Sequence, residues 1–383
     1  MSFRSIKNDM MIENGLVYLN HASVGPLPVK SKNIFENGIL VQALVGEKKI
    51  DYESIETLWN NLRTNVAKLV NGEKEGVTIT TNTASGLHII ADGLQSQYKF
   101  GKQNIVIPDI EFVTNSFCWQ ELAKRYALEL RTVSSRENRI DLKNYEKIID
   151  DNTILVVLSH VQFSNGFRSN LKEISRIAHE HGSFVSVDAI QSLGIVPFNV
   201  KEFDVDFVSA AGYKWLLGPY GTGVFYTKPE HIELLDSILV GWFSTPHYKE
   251  LAHQEFKPWK DARKFQQTMI NPAMDALNAS LETVLKWDVK KSYEHVISLL
   301  DILIEELSQF VNFSIGSSLQ SNERSGIVKI NSPNDLQSAV TYLGTKNITV
   351  SYRDKGIRVS PHAYNTKEDI MALVNELKAW SLS

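Results

Sequence analysis

Two short stretches place a charged residue where an apolar run ends. They are Ser183-Phe184-Val185-Ser186-Val187-Asp188-Ala189-Ile190-Gln191 and Asp206-Phe207-Val208-Ser209-Ala210-Ala211-Gly212-Tyr213-Lys214-Trp215. Apolar, β-branched runs of this length read as buried strands. An acid and an amine at the ends of neighbouring buried strands are costly unless each has a partner. Either residue alone is compatible with a strand end that points into solvent. Together they fit one cofactor, pyridoxal 5'-phosphate (PLP): its ring nitrogen is held protonated by a carboxylate, and its aldehyde is captured by a lysine as a Schiff base.

A phosphate and a ring face need their own residues. Thr78-Ile79-Thr80-Thr81-Asn82-Thr83-Ala84-Ser85-Gly86-Leu87 joins a strand to a helix through small, hydroxyl-bearing side chains. Unpaired N–H groups and the dipole at such a helix start form an anion site, to which Thr83 and Ser85 can add hydroxyls. Plain capping of the helix by Thr83 or Ser85 explains the same segment equally simply. Phe112 follows a strand and can either lie flat on a heteroaromatic ring or belong to the core.

The elements that must position these residues alternate. Strands are predicted at 76–80, 104–107, 129–133, 153–159, 183–187, 207–209 and 223–226, with helices at 85–94, 116–126, 142–149 and 171–181 between them. This alternation predicts an α/β fold, a mostly parallel seven-stranded sheet covered by helices, with ligands at the carboxyl ends of the strands. Amphipathic helices are expected at 28–46 and 55–71, and a long helical stretch from Pro272 towards Phe310 leads into a smaller C-terminal α/β unit. We therefore expect a large domain over 15–255 and a small one over 256–383, with segment 1–14 packing on the latter.

Composition narrows the partners. The balance of 40 basic and 44 acidic residues gives a net charge of −4, with no basic stripe to suit nucleic acid or an anionic membrane. Cys118 is the only cysteine, so no internal disulfide forms and a reducing compartment is expected. No apolar run reaches membrane-span length and the N-terminus lacks a signal-like apolar region, which predicts a cytoplasmic protein. His and carboxylate runs at metal spacing are absent from the sequence, so no metal is expected.

Six ordered motifs make the chain resemble the class V aminotransferase-type PLP enzymes of fold type I, a group that includes cysteine desulfurases, isopenicillin-N-epimerase-like proteins and kynureninases. They are Tyr18-Leu19-Asn20-His21-Ala22-Ser23-Val24-Gly25-Pro26, the phosphate turn, Phe112, Asp188-Ala189-Ile190-Gln191, Gly212-Tyr213-Lys214-Trp215 and Arg358-Val359-Ser360-Pro361-His362-Ala363-Tyr364-Asn365-Thr366. The resemblance implies a catalytic Lys214 in a Schiff base and Asp188 on the pyridine nitrogen. It further implies Gln191 on the ring hydroxyl, Thr83 and Ala84 on the phosphate with Ser85 beside them, and Phe112 stacked on the ring. Gln162 falls near the family's cofactor-contacting asparagine. Arg358 matches the arginine that grips the substrate carboxylate, with Asn20 and His21 also on the substrate side. Thr268 resembles the threonine that reaches the phosphate of the partner subunit, which implies a homodimer with an interfacial site.

There are departures. Relatives commonly carry Ser and His where this chain has Ala211 and Tyr213, so one phosphate contact is lost and the Tyr213 hydroxyl stands in for another. Gln267 replaces a glycine before the interface threonine. A desulfurase needs a nucleophilic cysteine on a loop in the C-terminal half, whereas Cys118 lies in an early helix. The expected activity is therefore transamination between an amino acid and a keto acid, with a lyase or epimerase as the alternative and a non-catalytic protein on the same fold as a rival.

Overall fold

The computed structural model describes residues 6–46, 51–137, 139–251, 255–268 and 272–382. Its centre is a sheet of seven strands: β1 (Val77–Thr80), β2 (Asn104–Pro108), β3 (Glu129–Val133), β4 (Thr153–Ser159), β5 (Phe184–Asp188), β6 (Phe207–Ala211) and β7 (Gly223–Thr227). Their order is β1-β7-β6-β5-β4-β2-β3. Only β7 runs against its neighbours. The expected mostly parallel sheet is present. Every residue of β4 and β6 is buried, as near-continuous apolar runs require when helices cover both faces.

Helices α1 (Val29–Val45) and α2 (Tyr52–Val70) precede the sheet; α3 (Thr83–Gly93) follows β1, α4 (Val113–Tyr126) follows β2, α5 (Leu142–Ile148) follows β3, and α6 (Leu171–Glu180) follows β4. In α3, Gly86 is the closest approach to the sheet: a Cβ there would sit 2.2 Å from the Ser209 hydroxyl. Parallel β5 and β6 are in register at Asp188 and Ser209, so Asp188 and the turn after β6 emerge at the same, carboxyl, edge. Lys214 lies on that turn.

The C-terminal unit has its own core. Four antiparallel strands, β8 (Ser314–Ile315), β9 (Val328–Asn331), β10 (Ser351–Arg353) and β11 (Gly356–Val359), order as β10-β11-β9-β8. Helices α8 (Val289–Ser308), α9 (Leu336–Thr345) and α10 (Lys367–Ser381) cover them.

The two cores divide the chain differently from the expected boundary at 255/256. Helix α7 (Ala273–Trp287) is amphipathic, but its Met274, Leu277, Leu281 and Val284 join the core of the large sheet with α2. At the other end, Ile6 and Met10 also belong to the large core, while Val17–Tyr18 pairs with Ile348–Thr349 and Leu19 lies in the C-terminal core. Segment 6–10 thus packs on the large unit and 17–22 on the small one. Periodicity shows that a helix has an apolar face, not which core that face meets.

Candidate active site

Lys214 and Asp188 are both buried, with relative exposures of 8% and 2%. Among the described residues neither makes an ion pair within 4.0 Å, yet each charge acts on the other. Burial pushes the Asp188 carboxyl up to about 7, against a hydrogen bond from Ile190 N (2.9 Å) and the charge of Lys214. Burial pulls the Lys214 amine down to about 8, with Asp188 opposing and Arg358 and Arg353 assisting. An acid and an amine that attract across a gap suit a polar group lying between them.

Gly25 brings the N-terminal loop against this lysine. Its N–H donates to Tyr213 O at 2.8 Å, and a Cβ at position 25 would lie 2.2 Å from Lys214 O. The Val24-Gly25-Pro26 turn therefore depends on glycine for close backbone contact.

One face of the gap is aromatic. Phe112, the residue before α4, is 38% exposed, which separates it from the core, and its ring centre lies 5.8 Å from Lys214 Nζ. Phe163 packs edge-on against it at 5.1 Å. The preceding Glu111 is half-buried and accepts from Ser159 N (2.7 Å), Ser159 Oγ (2.6 Å), Gln162 Nε2 (2.8 Å) and Asn115 Nδ2 (2.9 Å). Burial raises its carboxyl and these four bonds oppose the rise. The Gln162 amide is thereby fixed with Oε1 buried and unpartnered. Gln191 is more committed than its motif implies: Nε2 donates to Ala22 O and Oε1 accepts from Trp215 Nε1, both at 2.9 Å. One N–H of its amide remains for a ring hydroxyl.

The helix start behaves as an anion cradle with a different cap. Asn82, not Thr83 or Ser85, caps α3 by accepting from Ser85 N at 3.0 Å. The Thr83 hydroxyl accepts from Ala211 N at 3.0 Å, tying the cradle to the end of β6, and the Ser85 hydroxyl meets Thr81 Oγ1 at 2.7 Å. Thr83 and Ala84 are the first two residues of α3, whose N–H groups a helix leaves without an intrahelical acceptor at the positive end of its dipole.

Arg358 on β11 is held by neutral acceptors. Nη1 donates to Phe163 O (2.7 Å), Nη2 to Ser23 Oγ (2.5 Å) and Nε to Ser351 Oγ (3.2 Å). A guanidinium has five N–H donors, so one on each terminal nitrogen remains, the fork that a carboxylate fills. Burial and the charge of Arg353 lower it to about 9.

These residues fit PLP: an acid for the ring nitrogen, an amine for the aldehyde, an aromatic platform and a cradle for the phosphate. The aminotransferase class-V model matches residues 50–373. The chain belongs to the aminotransferase class-V family. The cofactor of this class V protein is PLP. It is 28% identical over 318 residues to the uncharacterized aminotransferase YcbU of Bacillus subtilis, covering 83% of this chain and 82% of that protein. To a probable cysteine desulfurase of Methanothermobacter thermautotrophicus it is 25% identical over 405 residues, covering 99% and 98%. The fold superposes on the cystine C-S lyase C-DES in complex with cysteine persulfide with a TM-score of 0.86 at 22% identity, covering 98% and 99% of the two chains. A further structure of C-DES, a mutant, has glycine covalently linked to its PLP cofactor (TM-score 0.84, 22% identity, covering 95% and 96%).

In this class V chain the other expected residues make contacts of their own. His21 has both ring nitrogens engaged, Nδ1 with Ser360 O (2.9 Å) and Nε2 with the Tyr364 hydroxyl (2.8 Å), within a cluster of Tyr18, Trp215 and His362. Burial, then the charge of His362, holds it well below its ordinary range, and the ring bridges Ser360 and Tyr364. Asn20, which bridges to Ser360, keeps its buried Oδ1 unpartnered. Tyr213 is half-buried, its ring centre 6.0 Å from Lys214 Nζ, and packs on Tyr220 at 4.9 Å. Thr268 lines a cavity of about 240 Å³ with Thr81, Ser85 and Gln267. Cys118 packs on the core below α4, and burial pushes its thiol up to about 12. No helix among the described residues is long and apolar enough to cross a membrane.

Sequence reasoning missed Glu111, Phe163 and Ser23 as site residues, while it expected the Ser351–Lys355 loop to line the substrate pocket. Only Glu111 left a signal: a carboxylate directly after the strand-end segment that carries Phe112.

Proposed function

We propose that this protein is a PLP-dependent aminotransferase acting on an amino acid through Lys214. The observation that carries the reading is the buried Lys214 and Asp188 attracting across a gap, with the open fork of Arg358 on the same side. When bound, PLP supplies a carbonyl that condenses with amines and a ring that accepts the electron pair released at Cα.

The chain's own residues do the rest. Asp188 holds the ring-nitrogen proton, and the positive charge placed there favours its ionised form over the neutral one. Phe112 covers one ring face and excludes water from it. Thr83 and Ala84 N–H groups hold the phosphate, with Ser85, while Gln162 and the remaining Gln191 N–H address the ring periphery. Arg358 would receive the substrate carboxylate and so orient the bonds at Cα. Lys214 would be the residue that holds the cofactor's aldehyde and, when free, the base for the Cα proton; an amine near 8 has a usable neutral fraction at neutral pH. Thr268 and the exposed apolar residues of α1, Ile39, Leu40 and Leu44, support completion of the site in a homodimer.

Transfer of labelled nitrogen from an L-amino acid to a keto acid tests the reading, and no transfer across a panel of pairs overturns it. A second reading, β-elimination, is favoured by the likeness to a cystine C-S lyase, and ammonia and pyruvate released without nitrogen transfer identify it. Persulfide-forming desulfurase chemistry is disfavoured because the single cysteine is a half-buried core thiol with its pKa pushed up.

A further inference from the structure

The small sheet sets a second arginine beside the first. Residues directly opposite in antiparallel strands share a face, as do residues two apart in one strand. Ser351 and Lys329 both lie opposite Arg358, and Arg353 lies opposite Gly356. Lys329, Ser351, Arg353 and Arg358 therefore occupy one face. The hairpin that carries Arg353 is tight: Asp354 and Lys355 both have positive φ, 47° and 60°, the pattern of a two-residue primed turn without the usual glycine. Such backbone is costly for non-glycine residues and holds Arg353 at a fixed offset from Arg358.

Charge on this face is out of balance. Lys329 is neutralised by Asp354 at 2.5 Å, its stem running through the space that Gly356 leaves open. Arg353 is exposed, bonds only the Tyr352 carbonyl, at 2.8 Å, and has no acidic partner among the described residues. Arg358 likewise meets only neutral acceptors. The Arg353 charge reaches both Arg358 and Lys214, depressing each. Asp188, the acid nearest the lysine, is needed at the ring. One substrate α-carboxylate balances Arg358 and leaves Arg353 over.

We propose that Arg353 binds a second anionic group, so that the substrate is an amino acid with an acidic side chain, a carboxylate or a sulfinate. The inference rests on the amino-acid reading above. Guanidinium and a planar oxyanion match in a two-bond fork, a fit that lysine does not reproduce.

The test is titration of the PLP-loaded enzyme, read by the cofactor's visible absorbance, with L-aspartate, L-glutamate and L-cysteine sulfinate against L-asparagine, L-glutamine and L-alanine. At least one acidic amino acid is expected to half-saturate roughly tenfold or more below its neutral counterpart. Arg353→Gln is expected to bring that ratio towards one, and Arg353→Lys to retain only part of it. Neutral amino acids preferred by the wild type, or a ratio unmoved by Arg353→Gln, overturn the proposal. Loss of dimer mass in Arg353→Gln with an unmoved ratio also overturns it, by assigning the arginine to the subunit interface. If no amino acid perturbs the spectrum, the amino-acid reading itself fails, which is a different result.

Discussion

Two buried aspartates on neighbouring strands of one sheet are treated in opposite ways. Asp206, at the amino edge, accepts from Val185 N (2.7 Å), His179 (2.9 Å) and His231 (2.8 Å) and pairs with Lys228 at 3.0 Å. Burial pushes its carboxyl up, but those bonds and the Lys228 charge win and hold it well below the ordinary carboxylate range. Asp188, at the carboxyl edge, has one backbone bond and no cation in contact among the described residues, and burial wins. The fold satisfies the acid that only has to be stable and leaves underpaired the one we propose to hold a ligand.

Lys214→Ala gives the largest expected effect on this contrast. Turnover should fall by roughly 10³-fold or more, and borohydride treatment should no longer fix PLP to the chain, checked by peptide mass. A retained covalent label would move the anchor elsewhere. Arg358→Ala comes next: amino-acid half-saturation should rise by roughly 10²-fold while the PLP absorbance persists. Loss of that absorbance would make Arg358 a cofactor residue.

The two aspartates themselves can then be set against each other in cofactor-free protein. Asp206→Asn should destabilise by roughly 1–3 kcal/mol at pH 7, by chemical denaturation, since it removes the buried charge facing His231, Lys228 and His179 and leaves the last two only Asp204. The depressed carboxyl means that this contribution is present above the unfolded value and fades as pH falls below it. Asp188→Asn should do the reverse. Its carboxyl rises from 3.8 to about 7 on folding, so the folded state holds the proton longer and stability drains away as pH rises between those values. The asparagine variant should thus gain on the order of 1–3 kcal/mol at pH 8 and nothing near pH 4. Destabilisation at pH 8 would show that the Asp188 charge is already well paired.

The smallest effect is kinetic. With the amine lowered to about 8, the rate of PLP capture should climb through pH 7–9 and level off, followed by stopped-flow absorbance. A rise continuing to pH 10 would mean an unperturbed lysine.

The sheet was legible because strands buried on both faces spell uninterrupted apolar runs; the seven strand positions at 76–80 to 223–226 match β1 to β7 within a residue or two. Asp188 and Lys214 were legible for the same reason, as charges where such runs end. Glu111 was not, because its meaning lies in Ser159, Asn115 and Gln162, up to 51 residues away in sequence. The cap of α3 is Asn82, one residue before Thr83 and three before Ser85; all three are capping types, and only the backbone geometry chooses among them. His21 looked like a substrate ligand from its motif, but its bonds to Ser360 and Tyr364 cross more than 300 positions of chain. Helix α7 had the right period and an unreadable destination.

The strip from Val17 to Gly25 works as a clasp. It is stitched to the C-terminal unit at Ile348–Thr349 and Ser360, lends its Ser23 hydroxyl to Arg358, and abuts the backbone of Lys214 through Gly25. Substrate grip and covalent tether are thus yoked by nine residues near the beginning of the polypeptide. A bulkier residue at 25, or a chain started beyond 23, should uncouple the two jobs while leaving every strand of the central sheet in place.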